Sequence, residues 1–246
     1  MFFMSNRFLK DRADAGVQLA RKLKHYRDMR DEAIVLGLPR GGIVIGYHVA
    51  HELRLPLDMI VSRKIGCPGH EEYAVGALAQ DGSVELEHDT LRMMHLSERD
   101  LQPTIDKERR EAQRRLKAYR GDRPTLDLTG KIAILVDDGI ATGSTAKASL
   151  RMLRKSNCKK VVLAVPVMPA DRVRSFAAMV DELVYVQAPK DFHAVGQFYE
   201  RFDQTEDEEV LHLMKLNADE LQQWQAEAKG GVAQDRERTY SQAAAH

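Results

Sequence analysis

One stretch limits what this chain can fold into: Ile134-Leu135-Val136-Asp137-Asp138-Gly139-Ile140-Ala141-Thr142-Gly143-Ser144-Thr145-Ala146. Ile132 to Val136 is a short unbroken apolar run, the pattern of a strand buried on both faces. It delivers two adjacent carboxylates to its C-terminal end, the edge at which open α/β sheets bind ligands. A loop of small residues and hydroxyls follows, and the pattern turns helical at about Ser144. The first turn of such a helix has unpaired N–H donors and the positive end of its dipole, which together suit an anion. Thr142, Ser144 and Thr145 add hydroxyl donors without bulk, and Gly143 allows close approach of the backbone. One end of the segment therefore suits a phosphate, and the acid pair suits hydroxyls or a metal-bound anion. A ribose 5-phosphate carries both groups at about that separation.

The rest of the pattern predicts an α/β architecture. Phe8, Ala15, Leu19, Leu23 and Tyr26 recur at helical spacing within residues 7–32. Residues 33–38 read as a buried strand stopped by Pro39, Arg40-Gly41-Gly42 as a tight loop, 43–53 as a helix and 57–62 as a second strand. That strand–loop–helix–strand unit is the mark of a parallel sheet covered by helices. Residues 63–73, with Gly66, Pro68 and Gly69 among mixed charges, read as a mobile loop. Residues 74–78 and 84–86 flank Gln80-Asp81-Gly82-Ser83 as a hairpin. Ser97, with Asp100 three residues on, predicts the start of a long charged helix reaching about Arg120. Helices at 144–155 and 172–179 then alternate with strands at 161–165 and 183–186. The expectation is one α/β domain over residues 1–228, a mostly parallel sheet flanked by helices with a small hairpin or hood insertion. It includes an N-terminal helix and a C-terminal helical extension, and residues 229–246 read as a flexible tail.

Composition narrows the class. A chain of 246 residues can bury a substantial core, and 30 % charged against 43 % hydrophobic residues is ordinary globular usage. No run of about 18 uncharged apolar residues exists, so no membrane span is expected. The start, Met1 to Arg7, lacks the apolar core of a secretory signal. Cys67 and Cys158 cannot build a disulfide framework, which fits a reducing cytoplasm. Equal numbers of basic and acidic residues, 37 of each, exclude a chain that is basic throughout.

Val136 to Thr145 resembles the phosphoribosyl-pyrophosphate signature of the type I phosphoribosyltransferase family. Leu38-Pro39-Arg40-Gly41-Gly42 is similar to that family's pyrophosphate loop, and Ser62-Arg63-Lys64-Ile65-Gly66 to the start of its flexible catalytic loop. The resemblance covers roughly residues 30–190. It implies that Asp137 and Asp138 contact the ribose 2- and 3-hydroxyls and that Ala141, Thr142, Gly143, Ser144 and Thr145 hold the 5-phosphate. It implies further that Arg40, Gly41 and Gly42 hold pyrophosphate, with Arg63 or Lys64 reaching in as catalytic groups. Mg²⁺ is the implied cofactor, held chiefly by substrate oxygens and water, with Asp137 and Asp138 as indirect partners. The implied reaction displaces pyrophosphate at C1 of ribose by the nitrogen of a base, through a transition state resembling an oxocarbenium ion. A homodimer is a common family assembly.

The acceptor is not named by these motifs. The 6-oxopurine branch of the family has an Asp where this chain has Ala141. Arg63-Lys64 and Tyr73 are more like the adenine branch, which has a Glu where this chain has Gly76. Asp191 to Tyr199 offers aromatics where a base-binding hood is expected, and Phe192 is the candidate to stack on a heterocycle, with ordinary core packing as its alternative reading. The other function class is a non-catalytic sensor of the same ligand that binds RNA or DNA. Its support is the stretch 99–123, which holds nine basic and five acidic residues. Those acids are interspersed, as on a solvated helix, so nucleic acid is not the favoured partner. No Gly-Lys-[Ser/Thr] P-loop, Gly-x-Ser-x-Gly elbow or three-ligand metal spacing occurs.

Overall fold

A computed structural model of the protein describes residues 8–121 and 127–243. Met1 to Arg7, residues 122 and 123 of the basic stretch and the last three residues of the expected tail lie outside the described residues. In chain order the strands are β1 (Ala33–Gly37), β2 (Leu57–Met59), β3 (Arg63–Cys67), β4 (His70–Leu78), β5 (Val84–Leu86), β6 (Ile132–Val136), β7 (Lys160–Val167) and β8 (Glu182–Gln187). The helices are α1 (Arg12–Lys22), α2 (Gly41–Leu53), α3 (His88–Met93), α4 (Glu98–Arg120), α5 (Ser144–Lys155), α6 (Val173–Ala177) and α7 (Asp207–Ala243). Among the described residues no helix is long and apolar enough to cross a membrane.

The main sheet runs β2-β1-β6-β7-β8, every pairing parallel. Successive side chains on a strand point to opposite faces, so each strand feeds two cores. Val35, Ile134, Val136 and Val162 pack with α1, α2, α4 and α7. Ile34, Leu36, Leu135 and Leu163 pack on the other side with Leu150 of α5 and Phe176 of α6. Both faces are covered, which is why these strands read as continuous apolar runs.

The segment expected as a mobile loop is ordered instead: β3 and β4 pair antiparallel, and β5 completes a three-stranded second sheet. Its glycines permit close approach of strands. A Cβ at Gly66 would collide with the Glu71 carbonyl, and one at Gly76 with that of Glu85. The register shifts on both sides of Gly66, so this glycine marks a bulge. Smaller differences lie at element ends. The second strand stops at Met59, and the expected helix 172–179 is a 3₁₀ turn followed by the short α6. The start of α4 has the expected capping box, with Ser97 N–H donating to Asp100 Oδ2 at 2.8 Å. Helix α7 runs to Ala243 and so enters the stretch that composition assigns to a flexible tail.

Candidate active site

Register builds the site. Gly37 at the end of β1 pairs with Val136 at the end of β6, and Leu38 N–H donates to the Val136 carbonyl at 3.0 Å. Neighbouring strands therefore release Pro39-Arg40-Gly41-Gly42 and Asp137-Asp138 side by side at one edge. A Cβ at Gly41 would collide with Asp138 Oδ2, and one at Gly42 would lie 2.8 Å from the Val136 carbonyl oxygen and 3.2 Å from Asp137 Oδ1. Only glycine lets the start of α2 stand this close to the acid pair.

The acid pair is held from several directions. Asp138 N–H donates to Asp137 Oδ1 at 2.9 Å. Arg12, at the start of α1, donates to Asp138 Oδ2 through Nε at 3.0 Å and Nη2 at 2.9 Å. The Tyr199 hydroxyl donates to the Asp138 carbonyl at 2.6 Å. Loss of solvent and the neighbouring Asp138 charge push the Asp137 carboxyl well above the usual carboxylate range. Loss of solvent raises Asp138 too, opposed by the Arg12 guanidinium. Burial, reinforced by the Asp138 charge, raises the Tyr199 phenol.

Beyond the acid pair, Ile140 N–H is tied to the Val167 carbonyl at 2.9 Å, and the loop then reaches α5. Gly143 takes φ +77°, and a Cβ there would lie 2.5 Å from Phe176 Cζ, so conformation and space both require glycine. Ala141 and Thr142 are exposed, Ser144 is buried, and Thr142 Oγ1 lies 3.5 Å from Ser144 Oγ. The first-turn N–H groups of α5 open on this loop.

Arg40 caps α2 and faces acids at the start of α7: its Nη1 lies 3.4 Å from Glu206 Oε2 and 3.8 Å from Asp207 Oδ1. Asp207 also accepts from the Tyr119 hydroxyl at 2.5 Å. That acceptor, with burial as the larger cause, pushes the phenol up to about 12.

The structure thus brings Arg40, Gly41, Gly42, Asp137 and Asp138 together, with residues 141–145 following directly. Arg63 lies on β3, and its Nε donates to Glu108 of α4 at 2.7 Å. Lys64 lines a cavity of about 250 Å³ with Arg63, Glu71, Thr104, Lys107 and Glu108. Phe192 is half-buried and stacked on Phe198, ring centroids 5.2 Å apart. On α4, Arg114 and Arg115 both pair with Glu111, at 2.7 and 2.8 Å, and Arg109 pairs with Asp106 at 2.9 Å. Arg12, Glu206 and Asp207 escape a reading of local motifs. Arg12 is 126 residues from Asp138, and only the three-dimensional fold joins them.

Comparison with known proteins gives the family and the fold. Residues 9–200 match the model of the phosphoribosyl transferase domain. Two curated Mycobacterium tuberculosis proteins, provisionally named phosphoribosyl transferases, are 45 % identical over 204 residues, which is 83 % of this chain and 46 % of theirs. The chain therefore spans about half the length of those relatives. The crystal structure of TT1426 from Thermus thermophilus superposes with a TM-score of 0.70 at 36 % identity, covering 85 % of this chain and 97 % of that one.

Proposed function

The chain belongs to the phosphoribosyl transferase domain family, and from that premise we propose that it transfers ribose 5-phosphate from phosphoribosyl pyrophosphate to a nitrogenous base, with Mg²⁺, releasing pyrophosphate. The observation that carries this reading is the edge-to-edge contact of Gly41-Gly42 with Asp137-Asp138, followed by the anion-suited loop 141–145.

In this reading Asp137 and Asp138 accept hydrogen bonds from the ribose 2- and 3-hydroxyls. The hydroxyls and first-turn N–H groups of residues 141–145 hold the 5-phosphate. Arg40 and the backbone of Gly41 and Gly42 hold the pyrophosphate. At C1 the bond to the pyrophosphate oxygen breaks and a bond to the acceptor nitrogen forms. The electron pair of the broken bond leaves with pyrophosphate, and the nitrogen gives up a proton. Groups that stabilise the leaving anion and exclude water supply the acceleration. Arg63 and Lys64 act on that anion after the β3–β4 hairpin moves, since Arg63 is tied to Glu108 beforehand.

Mg²⁺ fits this donor set as an ion held mainly by diphosphate oxygens and water. Asp137 and Asp138 supply hard carboxylate oxygens, and among the described residues no cluster of three or more His, Cys, Asp or Glu side chains forms an all-protein cage. When bound, it would offset diphosphate charge. The partners are thus small molecules, and the intrahelical pairing of Arg109, Arg114 and Arg115 gives the sensor reading no added support.

The test is pyrophosphate release from phosphoribosyl pyrophosphate and Mg²⁺ against a panel of purines, pyrimidines and related nitrogen acceptors. Turnover with one acceptor class is expected. No turnover with any of them, in protein that binds the donor, would leave the sensor class standing in its place.

A further inference from the structure

Each carboxylate of the acid pair has one oxygen committed to the protein. Asp137 Oδ1 accepts the Asp138 N–H at 2.9 Å, and Asp138 Oδ2 accepts both Arg12 donors. Asp137 Oδ2 and Asp138 Oδ1 take no part in these contacts. The two remaining oxygens, one per carboxylate, match in number the two adjacent hydroxyls of a ribose ring.

Arg12 is itself over-determined. Its Nη1 donates to the Asp203 carbonyl at 2.6 Å, and its guanidinium lies 4.0 Å from the Phe202 ring centroid. The side chain is only 13 % exposed, so its charge and that of Asp138 are strongly coupled. A Cβ at Gly41 would fall 2.8 Å from Arg12 Nε, so the guanidinium also borders the loop proposed for pyrophosphate. One planar fork therefore meets a carboxylate, a carbonyl, an aromatic face and a glycine backbone. A lysine, a single point of charge, could not satisfy all of these contacts.

We propose that Arg12 is a positioning residue for the acid pair, committing one oxygen of Asp138 so that each carboxylate presents a single free oxygen to the ribose diol. The inference rests on the ribose-site reading above. It assigns the N-terminal helix, which lies outside the recognisable motifs, a direct part in shaping the donor site.

Calorimetry with phosphoribosyl pyrophosphate and Mg²⁺ on the full chain tests it, using the wild type, Arg12→Gln, Arg12→Lys, Asp138→Asn and the Arg12→Gln/Asp138→Asn pair. Melting curves check that each is folded. Arg12→Gln is expected to lose about tenfold in affinity, the scale of one charge-assisted hydrogen bond. Arg12→Lys should fall between it and the wild type. Because Arg12 acts through Asp138, adding Arg12→Gln to Asp138→Asn should change affinity by less than about twofold. Wild-type affinity in folded Arg12→Gln, or fully additive losses in the pair, would overturn the inference while leaving the donor reading intact. Should Arg12→Gln fail to fold, wild-type affinity in Arg12→Lys would overturn it equally. Absence of donor binding by the wild type would overturn the donor reading and this inference with it.

Discussion

Asp137 shows at the scale of one residue how a site is maintained against stability. Its carboxyl stands beside a second carboxylate and out of solvent, and both raise its pKa. A carboxyl raised in the folded state binds more protons there than in the unfolded chain, between the unfolded value near 3.8 and the raised one. Stability therefore falls as pH climbs through that window. Asp137→Asn removes this dependence, and its melting temperature at pH 8 should exceed the wild type's, with the difference vanishing below the unfolded pKa. The same variant should bind phosphoribosyl pyrophosphate more weakly. Melting curves from pH 3 to 8 together with calorimetry check both halves; a variant less stable than the wild type at pH 8 would contradict the assignment. The presence of the acid pair was legible in the sequence. The Arg12 contact was not, because an arginine in an amphipathic helix carries no local sign of a partner 126 residues away.

Among elements, the start of α7 and the β3–β4 hairpin contribute most beyond the motifs. Glu206 and Asp207 set carboxylates against Arg40, where the proposed reaction needs a pyrophosphate. Both acids are well exposed, so the pairing is weak. Replacing them together, Glu206→Gln with Asp207→Asn, should raise affinity for pyrophosphate by roughly two- to fivefold. Calorimetry with Mg²⁺ and pyrophosphate measures this, and unchanged affinity would mean that the acids do not compete for Arg40. The hairpin shows why 63–73 reads as a loop. Gly66 and Gly69 are punctuation in a one-dimensional pattern, yet Gly66 permits a close strand crossing and only Gly69, at φ +78°, makes the turn. The acids of α4 read as a solvated face, and in the fold Glu108 instead turns inward to hold Arg63. Such contacts depend on which face of a helix meets which strand.

At the scale of the whole molecule, stability and site share the strand β6. Leu135 is fully buried between β1 and β7 on the face covered by α5, and Asp137 follows two residues later. Leu135→Ala should cost about 2–5 kcal/mol, read as a lower midpoint in denaturant with an unchanged slope. Loss below about 1 kcal/mol would mean that the two-sided core is looser than its burial implies. What the sequence determined by itself was the parallel sheet, the strands and helices that alternate to build it, and the run of acids, small residues and hydroxyls at the end of β6. Those depend on local periodicity and on residue types a few positions apart, which a linear pattern records. What only the tertiary structure decided was the company these residues keep: Arg12 and Tyr199 on Asp138, Glu206 and Asp207 beside Arg40, Glu108 on Arg63. Each joins segments tens of residues or more apart, and their meeting follows from sheet register and helix packing that no short window of sequence contains.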